Sequence, residues 1–272
     1  LLYPDPYMRT PGDIDIYLSG GRRKIIKYVD QVCPNQVMRY HHVDFPVTKT
    51  AIEVHFTPSY MFCPIHNRRM QKWFEEVMGE QCNHRVSLPD GYGEIHVPHV
   101  SFNVIYILSH LYRHIFTEGI GLRQLLDYYF VLLKWHTDLT NLTDSNNSLP
   151  QMTQINTDLD ALRHELKYLG LWKFAGAVMY VLHEVFGLSE DRMIAPMNEK
   201  EGKFLLDEIM RGGNFGQYDD RMGDKVDESK IHRYFRMNLR NLRFVKHYPT
   251  EALSEPLFRT WFAVWKKIHG IR

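Results

Sequence analysis

The sequence predicts an α+β protein in which a small sheet with flanking helices is followed by a helical bundle domain, and three observations predict it. Apolar and polar residues alternate with the period of a strand at 13–18, 37–45 and 51–57, all before Ser101. From Ser101 onward the period becomes helical and stays so. At 272 residues and 44% hydrophobic content the chain is long enough for two modest cores, and the change of period divides it at 1–100 and 101–272.

The bulk chemistry narrows the function classes. The 33 basic and 32 acidic residues nearly cancel, so no global charge points to nucleic acid or a membrane surface as partner. Three cysteines at irregular spacings fit a reducing cytoplasm better than a disulfide framework. No apolar run reaches membrane-spanning length. The chain opens at Leu1-Leu2-Tyr3 without methionine, and the expectation is that a segment of the natural protein precedes it.

In chain order, Pro11-Gly12 turns into the strand 13–18, where Asp13 and Asp15 point to one face and Ile14 and Ile16 to the other. Two adjacent carboxylates are costly to bury without a compensating cation. The pair therefore reads either as a solvated strand end or as a site for a hard divalent ion, Mg2+ or Mn2+. Ser19-Gly20-Gly21 ends the strand, and Ile25, Val29, Val32 and Cys33 mark a helix over 22–33 whose first turn, Arg22-Arg23-Lys24, reads as solvated. The runs 37–45 and 51–57 read as an antiparallel hairpin. Glu53, in mid-strand with apolar neighbours, is either a third metal ligand or a cross-strand partner of Arg39 or Lys49.

A helix over 68–78 follows, flanked by Cys63, His66, Cys82 and His84, which could ligate zinc but lack the usual chelate spacing. Residues 88–97 read as a hairpin or loop. Ser101 is placed as the cap of a helix over 101–116 that carries His110, Arg113 and His114. Leu111 follows His110, so the glutamate of a zinc-peptidase motif is missing.

Gly119-Ile120-Gly121 leads into a helix over 122–136, in which Arg123 and Asp127 sit four apart and could pair. Asp127 also interrupts the apolar run 125–133, where a carboxylate needs a specific partner. Residues 138–154, rich in Thr, Asn and Ser, read as a loop. Helices are predicted over 158–169, 171–186, 199–210, 230–247 and 255–268 as the core of a bundle. On the fourth of these, Arg233, Arg236, Arg240, Arg243 and Lys246 read as a solvated basic face.

Taken together, these pieces resemble a superfamily. Tyr3-Pro4 with Arg9-x-x-Gly12-Asp13-Ile14-Asp15, then Ile52-Glu53-Val54-His55, then His110-x-x-x-His114 and Gly119-Ile120-Gly121-Leu122-Arg123-Gln124-Leu125-x-Asp127 occur in the order seen in the nucleotidyltransferases. That superfamily includes DNA polymerase beta, poly(A) polymerase and kanamycin nucleotidyltransferase, and the chain most resembles a bacterial family described only as uncharacterised nucleotidyltransferases. The resemblance implies a two-ion Mg2+ or Mn2+ site held by Asp13, Asp15 and Glu53. It implies transfer of an NMP from an NTP, ATP among them, to a hydroxyl acceptor on a small molecule, carbohydrate, protein or RNA.

It further implies Asp127 or His114 acting on the acceptor, and Arg9, Arg123, His110 and His114 on the nucleotide side. The family's Gly-Ser phosphate turn is expected in a segment preceding Leu1, because Ser19-Gly20-Gly21 lies on the wrong side of the acids. Two other classes stand beside this one. One is a catalytically silent nucleotide-sensing or protein-interaction module on the same fold. The other is a zinc-stabilised binding protein.

Overall fold

Ile14 and Ile16 alternate with Asp15 and Tyr17 in β1 (Ile14–Tyr17), and this alternation decides how the first sheet faces. β1 lies parallel to β3 (Ile52–His55), and β3 is antiparallel to β2 (His42–Asp44), in the order β1-β3-β2. Between the parallel strands runs α1 (Arg22–Val32), whose Ile25 and Val29 meet Val43 and Val54 in a small core edged by Leu18, Phe45 and Phe56. Entry to α1 passes through Gly20 and Gly21, both at positive φ, a conformation that any side chain would strain. The structure, a computed structural model, describes residues 2–10, 12–81, 83–146, 151–213, 218–219 and 229–269.

A second, two-stranded sheet pairs β4 (Arg85–Ser87) with β5 (Glu94–His96) as a hairpin. The larger core is helical. Tyr60, Met61 and Phe62, followed by Met70 and Phe74 of α2 (Pro64–Gln81), pack with α3 (Val100–Phe116) and α4 (Leu122–Asn146). Into the same core come α5 (Gln151–Tyr168), α6 (Trp172–Phe186), α7 (Glu199–Gly212), α8 (Lys230–Val245) and α9 (Pro249–Ile268). The class is therefore α+β, as predicted. No helix among the described residues is long and apolar enough to cross a membrane.

α6 and α7 meet at Gly202, where an added Cβ would lie 2.4 Å from the Tyr180 ring. Gly202→Ala is expected to cost about 1–3 kcal/mol through overpacking, measured by urea denaturation. A change below about 0.5 kcal/mol would mean that Tyr180 moves aside freely.

α9 packs on residues that flank the first sheet. The ring of Tyr40 lies 4.9 Å from Phe258 and 5.7 Å from Phe262, and Tyr60 stacks on Phe258 at 5.1 Å. Glu251, in the first turn of α9, accepts from the N–H groups of Phe62 (2.7 Å) and Cys63 (3.0 Å) and lies 2.8 Å from His66 Nδ1. These donors stand where α2 begins, so one helix caps the start of another that is distant in sequence.

Several expectations are corrected. The run 37–45 is not one strand: Met38 bridges Val43, Arg39 N–H donates to the His42 carbonyl, and only residues 42–44 pair with β3. The alternation there had merged two arms of a tight turn. The loop read over 138–154 is helical wherever it is described, and residues 147–150 lie outside the described residues. Within it, the Thr140 hydroxyl bonds to the Thr137 carbonyl of the same helix, so it no longer competes against the helix.

His99 rather than Ser101 caps α3, because its Nδ1 accepts the Ser101 N–H. α2 and α9 begin earlier than predicted, each opening on a proline that suits a first helical turn. Arg22 is not solvated. Its guanidinium lies 4.8 Å from the Phe56 ring centre and 5.3 Å from that of Trp265, and it donates to the Tyr40 carbonyl. The basic face of α8 is likewise only partly solvated, since Arg240 turns onto buried Asp219 and Arg243 onto Glu208.

Candidate active site

α1 packs on Val43 and Val54 on one face of the first sheet, where Ile14 and Ile16 of β1 stay exposed, and the other face is left to polar side chains. The register sets Asp15 opposite Glu53 and Glu53 opposite Asp44, with Tyr17, His55 and His42 in the next rung. Strand alternation adds Asp13 to the same face. The face therefore carries four carboxylates, of which Asp44 and its neighbour His42 were not singled out from sequence. The signal was present in His42-Val43-Asp44, which repeats the spacing of Asp13-Ile14-Asp15.

His55 joins two of the acids. Its Nε2 lies 3.2 Å from Asp15 Oδ1 and 3.3 Å from Glu53 Oε2, while His42 Nδ1 lies 2.8 Å from Glu53 Oε2. Glu53 thus pairs with imidazoles, not with Arg39 or Lys49. Burial would raise the Glu53 carboxyl, but His42 and His55 outweigh it and hold it well below the usual carboxylate range. Burial opposes charge on His55, yet Asp15 and Glu53 push it up to about 9. Asp13 is raised, first by burial and then by the charges of Asp15 and Glu53.

A pH dependence follows for the metal-free protein. With its folded pKa raised, the His55 imidazolium adds stability that is fully present below about 6.5, the unfolded value. That stability is lost as pH rises through about 9. In chelator, the difference in melting temperature between wild type and His55→Gln is expected to shrink between pH 7 and pH 10. A difference that stays constant would show that His55 contributes packing and not charge.

α3 closes the face. Tyr106, His110, Arg113 and His114 share one side of that helix, and the Tyr106 hydroxyl donates to Asp15 Oδ2 at 3.4 Å. Arg113, which can only donate, lies 3.0 Å from His114 Nε2 and 3.4 Å from His110 Nδ1. His110 Nε2 lies 2.9 Å from the same His114 nitrogen. His114 Nε2 must then accept from both, and His110 must carry its proton on Nε2. Burial and Arg113 lower both histidines, which keeps them neutral.

The remaining predicted residues lie to one side. Asp127 does not pair with Arg123. It takes a two-point ion pair from Arg9, at 2.8 and 2.9 Å, and a hydrogen bond from the Tyr3 hydroxyl at 2.7 Å. The charge of Arg123 is felt at Tyr3. Asp127→Asn is expected to cost about 1 kcal/mol, discounted for the exposure of Arg9, and to speed hydrogen exchange over residues 3–9. Unchanged exchange there would show that other contacts anchor the segment.

Four groups of side chains among the described residues bring potential ligand atoms within 4.8 Å of one another. Asp15–Glu53–His55, His42–Asp44–Glu53 and His41–His42–His55 belong to the sheet, and Cys63–His66–Glu251 to the junction of α2 and α9. Asp13 falls outside all four. Of the zinc set considered from sequence, Cys63 and His66 meet Glu251, His84 packs against the His99 ring, and Cys82 lies outside the described residues.

A family model described as an uncharacterised nucleotidyltransferase matches residues 1–187. No curated protein and no solved structure matches the chain.

Proposed function

The chain belongs to this family of uncharacterised nucleotidyltransferases, and from that membership we propose that it moves a nucleoside monophosphate from an NTP to a hydroxyl acceptor at the Asp15–Glu53 face. The observation that carries the reading is the pairing of Asp15 with Glu53 on neighbouring parallel strands, with Asp13 on the same side. These donors suit a divalent cation: the hard oxygens of Asp15 and Glu53 lie beside a buried imidazole nitrogen, His55 Nε2, with all three ligand atoms within 4.8 Å of one another. A bound Mg2+ or Mn2+ would neutralise triphosphate charge and lower the pKa of the acceptor hydroxyl.

The chain's own residues then have distinct tasks. Asp15 and Glu53 would hold the cation, with Asp13 beside them on the same side of the sheet. Tyr106 orients Asp15 through its hydroxyl, which burial and the Asp15 charge keep protonated. Arg9 and Arg123 supply positive charge for the triphosphate, with Asp127 positioning Arg9. The neutral His110–His114 pair holds Arg113 over the face.

A second reading is a silent nucleotide-sensing module, favoured by the fact that His55 already neutralises Asp15 and Glu53 without an ion. The two separate by isotope. Incubation with NTPs labelled at the α or the γ phosphate, divalent ion and cell extract should leave only α label on an acceptor. Equal labelling by wild type and Asp15→Asn would reject the enzyme reading at this face.

A further inference from the structure

Carboxylates are not the only donors that converge on this face. Asp15, Glu53 and His55 form one potential ligand set, and His42, Asp44 and Glu53 form another, so Glu53 is common to both. The imidazoles have been brought to the acids at a cost, because His42 is 6% and His55 2% exposed, and burying polar rings is unfavourable unless they are partnered. His55 Nε2 lies between two acids, 3.2 Å from an Asp15 oxygen and 3.3 Å from a Glu53 oxygen. A nitrogen at that distance from both is placed as a third donor to a cation that they share. His42 is flanked on both ring nitrogens, by Glu53 at 2.8 Å and Asp44 at 3.6 Å.

We propose that His55 and His42 are metal ligands, which complete two imidazole–carboxylate sites joined through Glu53. The inference rests on the nucleotidyl-transfer reading and goes beyond it in the identity of the ion. An all-oxygen set suits Mg2+, whereas imidazole donors favour first-row transition ions such as Mn2+ or Zn2+. The centre accordingly takes a transition ion in preference to Mg2+, and His41, whose Nε2 lies 3.4 Å from His42 Nδ1, backs one of its ligands.

The test reads the metal, not turnover. Mn2+ is added to the purified full chain, and electron spin-echo modulation from directly bound imidazole nitrogen is recorded beside Mn2+ and Mg2+ affinities by calorimetry. Nitrogen modulation is expected in wild type, with Mn2+ bound at least about tenfold more tightly than Mg2+. His55→Gln and His42→Gln should each weaken the modulation and lower Mn2+ affinity about tenfold or more, and the double variant should abolish the modulation.

Wild-type Mn2+ bound without nitrogen modulation, or with an affinity equal to that of Mg2+, overturns the inference and leaves nucleotidyl transfer intact. Because that result needs no variant, it stands even if a glutamine substitution prevents folding. Failure of wild type to bind any divalent ion overturns both. Retained nitrogen modulation alongside the absence of α-label transfer overturns the enzyme reading alone.

Discussion

Glu53→Gln is expected to lower nucleotidyl transfer by at least about 10³-fold, because removing one metal carboxylate forfeits several kcal/mol of charge stabilisation and each tenfold in rate is about 1.4 kcal/mol. The residue pairs across the sheet with Asp15 on one side and Asp44 on the other, and its Oε2 touches two imidazoles. No other carboxylate of the face is placed to take over all four relations. Asp15→Asn should fall in the same range, whereas Asp127→Asn, whose partners are Arg9 and Tyr3, should change turnover far less. Glutamine preserves the shape of the side chain, so melting temperatures within a few degrees of wild type would separate lost chemistry from lost folding. A Glu53→Gln protein with half the wild-type rate would remove Glu53 from the reaction.

The largest effect on stability is expected from Glu251→Ala. This carboxylate is 1% exposed and satisfies two backbone N–H groups and an imidazole at the start of α2. It also stands in the first turn of α9, where the helix dipole favours negative charge. Truncation leaves the Phe62 and Cys63 N–H groups buried without a partner, at a cost of about 3–5 kcal/mol. For a chain of this size that corresponds to a melting temperature lower by roughly 10 °C, measured by calorimetry. A fall of under about 2 °C would show that water or a neighbouring carbonyl replaces the carboxylate.

Which parts were legible in the sequence follows from the range of the interactions. The acids Asp13, Asp15 and Glu53 could be read because strand alternation is a local signal, and two of them do face each other across β1 and β3. α3 through α9 were readable for the same reason, apart from their ends. His42 and Asp44 were missed because a turn within 37–45 changes which residues belong to a strand. The partners of Asp127 were missed for a different reason: Arg9 is separated from it by 118 residues, and no periodicity records a pairing across that distance. Arg240 and Arg243 read as a solvated face because their partner carboxylates, buried Asp219 and half-buried Glu208, lie outside the helix that displays them.

The contact between α9 and the start of α2 sets an order of events during synthesis. Glu251 meets Phe62 across a separation of 189 residues, and Phe258 reaches Tyr40 and Tyr60 from the same helix. At a ribosomal rate of about 5–20 residues per second, the sheet bearing the acids waits on the order of ten seconds or more for the helix that packs on its flanking residues. The family match ends at residue 187, short of α9. A nascent chain halted there has made every acid of the face and has not yet made the helix that packs on Tyr40 and Tyr60.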